Sequence, residues 1–371
     1  MTGPRQSGKT TLCRNLFPDL PYANLEDMSL LAEIQSDPKA FLERHHEGVV
    51  IDEAQNYPEI FSYLQVAVDE DRFSGRNPRH YFVTGSNNFS LMEKVTQSMA
   101  GRTAVLSLLP LSTDEILRYR PDASTSELIL NGGFPAVWGA GESGRRLLLS
   151  NYYTTYIERD VRQMLNVTNM TAFQLFVRLC AGRIGQEFNK QSMSNEVGVS
   201  VNTISHWLSI LNASFITYTL SPYYANIGKR LTKTPKLYFY DTGLAAYLLG
   251  INTAEQLDVN PLRGNLMENL VVNDFMKYAT NRGFNQQIYF YRDKSQREVD
   301  MLRIVSDGIE AYEIKSSKTW TTSFFNNLDY LKKVIGERLT RSMVLYDGSQ
   351  ENPQGDNGYI NFRHLSQYLS N

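Results

Sequence analysis

Short apolar runs that end in polar residues alternate with helical stretches over the first 110 residues. The run Val49–Ile51 ends in two acids, and the run His80–Thr84 ends in a glycine followed by polar residues. Helices are predicted over Thr11–Leu16 and around Ser29–His45. Short buried strands with polar carboxyl ends are typical of a parallel α/β sheet, which binds ligands beyond those ends. We therefore predict an α/β domain over residues 1–110.

The pattern changes after this domain. Residues 111–170 are mostly helical and read as a lid or connector, and residues 171–250 read as a compact helical unit followed by a hairpin. In residues 251–371 α/β character returns, which predicts a third domain. Its predicted strands are Gln287–Arg292, Val299–Ile304 and Ala311–Ile314, and its predicted helices are Leu266–Ala279 and Ser323–Val334.

Length and composition limit the class of protein. The chain has 371 residues, of which 42% are apolar and 20% are charged, as in ordinary globular proteins with two or three domains. No stretch approaches 18 uninterrupted apolar residues, and the first residues do not resemble a leader. Cys13 and Cys180 form neither a disulfide framework nor a zinc site. We expect a cytoplasmic protein without a membrane partner.

The first residues carry a phosphate-binding motif. Residues 3–10 fit the pattern G-x-x-x-x-G-K-S/T at every fixed position. The glycines let backbone N–H groups surround a phosphate at the start of a helix. Lys9 is expected to bridge the β- and γ-phosphates of ATP, and the Thr10 hydroxyl to bind Mg²⁺. The predicted nucleotide-binding residues are Gly3, Pro4, Arg5, Gln6, Ser7, Gly8, Lys9, Thr10 and Thr11.

Two adjacent carboxylates complete this predicted site. Asp52 and Glu53 follow the apolar run Val49–Ile51, and 42 positions separate Thr10 from Asp52. This spacing leaves room for one strand and its flanking helices. We expect Asp52 to hold the Mg²⁺ shell and Glu53 to act as the general base on the attacking water.

Two further residues have alternative interpretations. Ser86, with its neighbour Asn87, follows the next strand and is expected either to sense the γ-phosphate or to cap a helix. Arg102 is expected either to neutralise charge at the γ-phosphate, from this chain or from a neighbouring subunit, or to form a structural salt bridge. The predicted catalytic residues are therefore Glu53, Lys9 and Arg102.

Only Met1 and Thr2 precede the first glycine of the motif. A phosphate-binding loop is normally preceded by a buried central strand. We therefore expect the N-terminal sheet to lack this strand. Since unpaired buried backbone groups cost roughly 1–3 kcal/mol each, we also expect weakened ATP binding.

The middle of the chain predicts a winged helix. Gly198 separates two helices, and the second, Val201–Leu211, has an apolar face and a polar face typical of a recognition helix. Residues 176–240 hold seven basic and two acidic residues, a net charge of +5 in a chain whose net charge is −2. This favours a DNA-facing module. An ordinary solvated face and a protein-interaction role remain alternatives. The basic residues are Arg178, Arg183, Lys190, Lys229, Arg230, Lys233 and Lys236.

Acidic residues recur in the C-terminal domain. Asp300 lies on one predicted strand, and Glu313 and Lys315 share a face of the next. Glu268, on the preceding helix, would complete an acidic cluster. Carboxylates around a divalent metal, with a lysine beside them, suit phosphodiester hydrolysis, although such residues are also common at strand ends.

These motifs together resemble a family of prokaryotic predicted ATPases of the AAA+ superfamily, whose C-terminal domain is similar to PD-(D/E)xK nucleases. The matching segments are GPRQSGKTT at 3–11, VVIDEAQ at 49–55, TGSNN at 84–88, SMAGR at 98–102, LPLS at 109–112, NGGFP at 131–135, YIERDV at 156–161, KLYFYDTGLAAYLLG at 236–250, RGNLMEN at 263–269 and EVD…EIK at 298–315.

The resemblance implies an ATPase core, a winged helix and a nuclease-like α/β fold, with ATP and Mg²⁺ as cofactors. The missing first strand departs from the family pattern. Two functions follow as alternatives. One is an ATPase coupled to DNA binding or processing, and the other is an ATP-dependent regulatory switch with an inactive nuclease-like domain. Expected partners are nucleotide, DNA, and a second copy of the chain or another protein.

Overall fold

The computed structural model describes residues 1–75, 79–85, 99–161, 169–223, 234–283, 287–354 and 357–369, with backbone only for 158–161. The chain divides into two compact units. The first is Met1–Leu109 with Ala213–Phe215, and the second is Pro110–Asn212 with Ile216–Asn371. Within the described ranges, no helix has both the length and the apolar character needed to cross a membrane.

The first unit contains the predicted parallel sheet, with strand order β1-β2-β3. The described elements of this unit are α1 (Lys9–Leu16), β1 (Tyr22–Asn24), α2 (Met28–Ser36), α3 (Pro38–Arg44), β2 (Gly48–Asp52), a 3₁₀ turn (Ala54–Asn56), α4 (Ile60–Ser74) and β3 (His80–Val83).

The single helix predicted around Ser29–His45 is two helices. Asp37 ends α2, and its carboxylate accepts a hydrogen bond from the Ala40 N–H at 3.0 Å, so it also caps the start of α3. Pro38 follows at the first helical position, where a missing N–H costs nothing. The Asp-Pro pair therefore interrupts an otherwise continuous helical pattern.

Met1 and Thr2 lie between the end of β3 and residues 106–108. The Met1 amine donates to Val83 O at 2.5 Å, and the Thr2 N–H donates to Leu106 O at 2.8 Å. A groove of about 590 Å³ lies beside β3 and residues 103–106. The two residues thus connect the loop to the carboxyl end of β3 and to residues 106–108.

The second unit begins with short helices. Ser112 and Ser124 each start a helix with a capping box, because the glutamate three residues later returns a hydrogen bond to the capping backbone. These helices are α5 (Thr113–Tyr119), α6 (Thr125–Asn131), α7 (Pro135–Trp138), α8 (Gly141–Tyr152), which continues as a π-helix over Tyr153–Val161, and α9 (Met170–Ala181).

Two helices joined at Gly198 and a three-stranded antiparallel sheet follow α9. They are β4 (Gln186–Glu187), α10 (Lys190–Val197), α11 (Val201–Ala213), β5 (Thr217–Leu220) and β6 (Lys236–Phe239), with sheet order β4-β6-β5. Ile204, Leu208 and Leu211 are buried, as the predicted apolar face of α11 requires. Lys229, Arg230 and Lys233 lie outside the described residues.

The C-terminal part is a five-stranded mixed sheet with helices on both faces. Its order is β11-β10-β9-β8-β7, and β10, which the sequence pattern did not predict, lies between β9 and β11. The elements are α12 (Thr242–Leu248), α13 (Ala254–Asp258), α14 (Arg263–Asn281), β7 (Ile288–Arg292), β8 (Glu298–Val305), β9 (Gly308–Lys315), α15 (Asn326–Ile335), β10 (Leu339–Tyr346) and β11 (Asn357–Asn361), with 3₁₀ turns at Thr322–Phe325, Gly336–Arg338 and Phe362–Gln367.

Strand pairing joins the two sheets of the second unit. Beyond β5, the Phe290 N–H donates to Ser221 O at 3.2 Å, and the Tyr223 N–H donates to Phe290 O at 2.7 Å. One continuous apolar core extends from Ile116 to Leu369. A second, smaller apolar cluster lies between the C-terminal sheet and α15. The domain boundaries that the sequence suggests, at residues 110, 170 and 250, stay a prediction.

The NGGFP motif is a junction inside this core. The buried Asp241 carboxylate accepts hydrogen bonds from the Gly133 N–H at 2.7 Å and the Leu244 N–H at 2.8 Å. Gly132 has φ +63° and ψ −152°, a conformation open essentially to glycine alone, and its carbonyl accepts a hydrogen bond from the Trp138 indole at 2.9 Å. The motif thus fastens the end of α6 to the start of α12.

Gly132→Ala should destabilise the second unit, because a Cβ at this position would lie 2.4 Å from the Asp241 carboxylate oxygens. The backbone conformation alone costs about 1–3 kcal/mol for a non-glycine residue. Urea unfolding followed by circular dichroism measures the loss. Gly139→Ala is the control, since the nearest atom to its Cβ is 4.0 Å away. Equal stability of the two variants would contradict the role of the junction.

Candidate nucleotide site and acidic cluster

The backbone of the predicted phosphate-binding loop has positive φ angles at both of its glycines. Gly3 has φ +141° and Gly8 has φ +95°, and Gln6 between them is also left-handed at φ +62°. A Cβ on Gly3 would lie 2.2 Å from Leu108 O, so only glycine fits where the loop passes this segment. Gly8 leads directly into α1, which puts the loop at the positive end of a helix.

Lys9 is buried inside this loop. Its ammonium donates to Gly3 O at 3.0 Å and to Pro4 O at 2.7 Å. Burial lowers the pKa of Lys9, while Glu53 and Asp52 act in the opposite direction. Ser7 buries a hydroxyl for which the described residues provide no hydrogen-bond partner. A buried ammonium and an unsatisfied hydroxyl at a helix start fit the binding of phosphate.

The Asp52 carboxylate connects four segments of the first unit. Its Oδ2 accepts hydrogen bonds from the Thr10 hydroxyl at 2.7 Å and from the Tyr22 hydroxyl at 2.5 Å. Its Oδ1 accepts from the Thr84 hydroxyl and from the Glu53 N–H, the latter at 3.1 Å. The sequence predicted Thr10 and Asp52 as one Mg²⁺ site, and the structure brings them into direct contact.

Glu53 lies at a sharp turn immediately after β2. It adopts φ +56°, which is uncommon for a residue with a side chain and is typical of functional sites. The Gln55 amide donates to its carboxylate. The turn is fixed because the Ala54 N–H donates to Thr84 O at 3.0 Å. The Glu53 carboxylate is close enough to Lys9 to raise the pKa of that ammonium, against the larger effect of burial.

Sequence reasoning missed Tyr22 and Thr84. Tyr22 belongs to the three-residue strand β1, which is too short to give a periodic pattern. Thr84 was recognised only as the end of an apolar run, although its position beside β2 places it next to Asp52. Burial and the hydrogen bond to Asp52 raise the pKa of the Tyr22 hydroxyl, so it remains a proton donor.

Two other residues were predicted to act at this site, Ser86 and Arg102. Ser86 lies outside the described residues. The Arg102 guanidinium donates to both carboxylate oxygens of Asp69 on α4, at 2.7 and 2.9 Å, which corresponds to the structural salt bridge. A role for Arg102 at the γ-phosphate stays a prediction.

In the second unit, Glu268 is held by a lysine that sequence reasoning placed elsewhere. Lys236 donates to Glu268 Oε1 at 2.8 Å and contacts Glu298 Oε1 at 2.5 Å. The Tyr238 hydroxyl also donates to Glu268 Oε1, at 2.5 Å. Lys236 is 1% exposed. It was counted among the basic residues of a DNA-facing surface, and this assignment is wrong because its charge is buried against two carboxylates.

Asp300, Glu313 and Lys315 lie together, as strand alternation predicts. Lys315 donates to Glu313 Oε1 at 2.7 Å and lies 3.8 Å from Asp300 Oδ2, which accepts from the Ile314 N–H at 2.7 Å. Asn327 donates to the same Glu313 oxygen, whereas Glu313 Oε2 is buried without a hydrogen-bond partner among the described residues. Burial raises the pKa of Glu313, and the Asp300 charge adds to the rise.

We define the acidic cluster as Glu268, Glu298, Asp300 and Glu313. Burial, together with the Asp300 charge, raises the pKa of Glu268, so the two parts of the cluster interact. Within the described ranges, however, no group of three or more acidic, histidine or cysteine side chains has a metal-binding arrangement. A metal held jointly by Glu268, Asp300 and Glu313 stays a prediction. Glu268 is paired with the Lys236 ammonium instead.

Three family models match successive parts of the chain. Residues 1–117 match the family described as "AAA domain". Residues 122–255 and 263–365 match two families described as domains of unknown function, DUF8612 and DUF4143. The N-terminal part is thus similar to AAA domains, which supports a P-loop ATPase of the AAA type. The C-terminal match does not indicate a nuclease.

Relatives match over much of the chain. An uncharacterized protein of Mycobacterium tuberculosis is 28% identical over 359 residues, which cover 96% of this chain and 78% of the relative. An uncharacterized protein of Haemophilus influenzae is 25% identical over 307 residues, which cover 77% of this chain and 71% of the relative.

A solved structure, that of the Aeropyrum pernix Orc1 protein in complex with DNA, is 14% identical with a TM-score of 0.27. That match covers 67% of this chain and 85% of the Orc1 chain. At such a TM-score the likeness establishes no shared fold.

Tyr22→Phe should lower the free energy of unfolding, because it removes a hydrogen bond to the buried Asp52 carboxylate. Hydrogen bonds to charged groups contribute about 1.5–3 kcal/mol. Urea unfolding measures the change. The control is Tyr119→Phe, whose side chain is exposed and should change stability by less than about 0.5 kcal/mol. If Tyr22→Phe is as stable as this control, the hydroxyl does not support Asp52.

Proposed function

We propose that the chain is a Mg²⁺-dependent ATPase of the AAA+ type whose nucleotide cycle is coupled to DNA binding. The contact between Thr10 and Asp52 beside the buried Lys9 carries this proposal. The similarity of residues 1–117 to AAA domains supports it independently. Coupling to DNA is a separate claim, which the polar face of α11 supports.

The residues of the loop have distinct roles in this proposal. ATP supplies the phosphoryl group and Mg²⁺ neutralises its negative charge. Lys9 and the backbone N–H groups of the loop hold the phosphates, and Thr10 and Asp52 hold the metal. Glu53 accepts a proton from the attacking water. Tyr22 and Thr84 keep the Asp52 carboxylate oriented through their hydroxyl hydrogens.

Glu53→Gln should keep ATP binding and lose hydrolysis, because an amide holds the same shape but accepts no proton. General-base catalysis contributes about 10²–10⁴-fold, and we expect a loss of this size in kcat. Phosphate release and ATP binding are measured on the same protein. Lys9→Ala is the companion variant and should lose binding as well. Full hydrolysis by Glu53→Gln would remove Glu53 from the mechanism.

The polar face of α11 is the proposed DNA contact. Asn202, His206 and Ser209 are exposed on this helix, and Lys190 and Arg178 are exposed nearby in sequence. Arg183 pairs with Glu196, so its charge is partly neutralised. The exposed polar face of a second helix after a glycine turn is the arrangement that enters a major groove in helix-turn-helix proteins.

Lys190→Ala should weaken duplex DNA binding and reduce the slope of log K against log salt by about one, as expected for one lost phosphate contact. Fluorescence anisotropy at several salt concentrations measures both. The control is Lys39→Ala, an exposed lysine in the first unit. DNA should also stimulate ATP hydrolysis. Indifference of the ATPase to DNA would favour a protein partner or a second copy of the chain instead.

A second candidate is an ATP-dependent regulatory switch whose C-terminal domain does not cut DNA. The ion pair between Lys236 and Glu268 favours it, since it engages a carboxylate that was expected to complete the metal site. Incubation of single-stranded and duplex DNA with Mg²⁺ or Mn²⁺ tests this. Cleavage by the unaltered chain that disappears in Asp300→Ala would reject the switch and establish a nuclease.

A further inference from the structure

Lys236 combines near-complete burial with contacts to two carboxylates. It is the first residue of β6, and its ammonium lies between Glu268, at 2.8 Å, and Glu298, at 2.5 Å. The Phe290 ring lies 5.5 Å from the same nitrogen. Arg292 contacts the second oxygen of Glu298 at 3.3 Å, so both oxygens of that carboxylate have a positively charged partner.

Electrostatics keep this ammonium charged. Burial alone lowers the pKa of Lys236, but Glu268, Asp300 and Glu298 outweigh burial and the net direction is upward. A charge that is removed from water must be matched by opposite charges in good geometry. Lys236 therefore neutralises the acidic cluster from within, in the way that a bound cation does.

The other half of the cluster has a different character. Lys315 contacts Asp300 and Glu313 and is 31% exposed, so it is far more accessible than Lys236. Glu313 Oε2 is buried without a hydrogen-bond partner among the described residues. A divalent cation at Asp300 and Glu313 would therefore meet one unsatisfied carboxylate oxygen, and it would lack Glu268, which is committed to Lys236 and Tyr238.

We propose that Lys236 is the resident cation of the acidic cluster, and that it withholds Glu268 from any divalent metal bound at Asp300 and Glu313. Lys236 then offsets part of the negative charge of the cluster, and a metal would contact two of its carboxylates instead of three. Removing the ammonium releases Glu268 from its ion pair and takes one positive charge out of the cluster, while Tyr238 still donates to Glu268 Oε1. Affinity for a hard divalent cation rises with the number of charged oxygen ligands, so this change should tighten metal binding.

Calorimetric titration of the full chain with Mn²⁺ in the absence of nucleotide tests this proposal. Without nucleotide, the N-terminal site lacks the phosphates that complete its metal shell. Lys236→Met should bind Mn²⁺ at least about tenfold more tightly than the unaltered chain. Adding Glu268→Gln to Lys236→Met should abolish the gain. Arg292→Met removes a nearby positive charge that does not touch Glu268, and it should leave the affinity within about threefold of the unaltered chain.

A second variant keeps the inference testable if Lys236→Met does not fold. In the unaltered background, Glu268→Gln should leave Mn²⁺ affinity unchanged, because Lys236 already withholds that carboxylate. A tenfold loss in Glu268→Gln would make Glu268 a metal ligand and overturn the inference. Equal affinity of folded Lys236→Met and the unaltered chain would also overturn it.

The inference concerns the C-terminal cluster alone and does not depend on ATP hydrolysis. Its readout is Mn²⁺ affinity without nucleotide, whereas the ATPase proposal is tested by phosphate release. The two can therefore fail separately. An equal gain in Arg292→Met and Lys236→Met would mean that general electrostatics, and not the release of Glu268, controls the cluster.

Discussion

A buried carboxylate must be matched by hydrogen-bond donors, and Asp52 satisfies this constraint with donors from four segments. The loop helix contributes Thr10, the edge strand contributes Tyr22, and the neighbouring strand ends in Thr84. Because these hydroxyls converge on one side chain, the loop, the sheet and the turn at Glu53 are fixed relative to each other. The geometry of the candidate nucleotide site is in this sense a consequence of burying one charge.

The acidic cluster meets the same constraint by a different route. Asp52 is matched mainly by neutral hydroxyl donors, which leaves its negative charge available to a cation. Glu268 is matched by the ammonium of Lys236, which cancels that charge. The same functional group, a buried carboxylate, is therefore matched by neutral donors in one unit and by an ammonium in the other. This difference in charge balance is the main physical reason to treat the proposed ATPase site and the acidic cluster as chemically distinct.

Local patterns allowed the loop, α1, β2 and the buried face of α11 to be predicted, because each depends on neighbours within a few residues. The features that were missed depend on distant partners. Lys236 and Glu268 are 32 positions apart, and only the packing of β6 on α14 shows that the lysine is buried. The first half of β10 is mostly polar, so the strand shows no regular pattern along its length, and its apolar run Met343–Tyr346 was not recognised. The Asp-Pro pair at residues 37 and 38 indicates the break between α2 and α3, but the helical periodicity on both sides led to the prediction of a single helix.

The pairing of Ser221 and Tyr223 with Phe290 crosses between segments that match separate family models. A chain that acquired residues 263–365 by recombination without the preceding segment would expose the edge of β7 and part of the shared core. Exposed strand edges promote aggregation, so such a recombinant would need a new cover for that edge. Residues 122–255 and 263–365 are therefore expected to be inherited together. Differences between relatives should accumulate on surfaces away from this strand pairing.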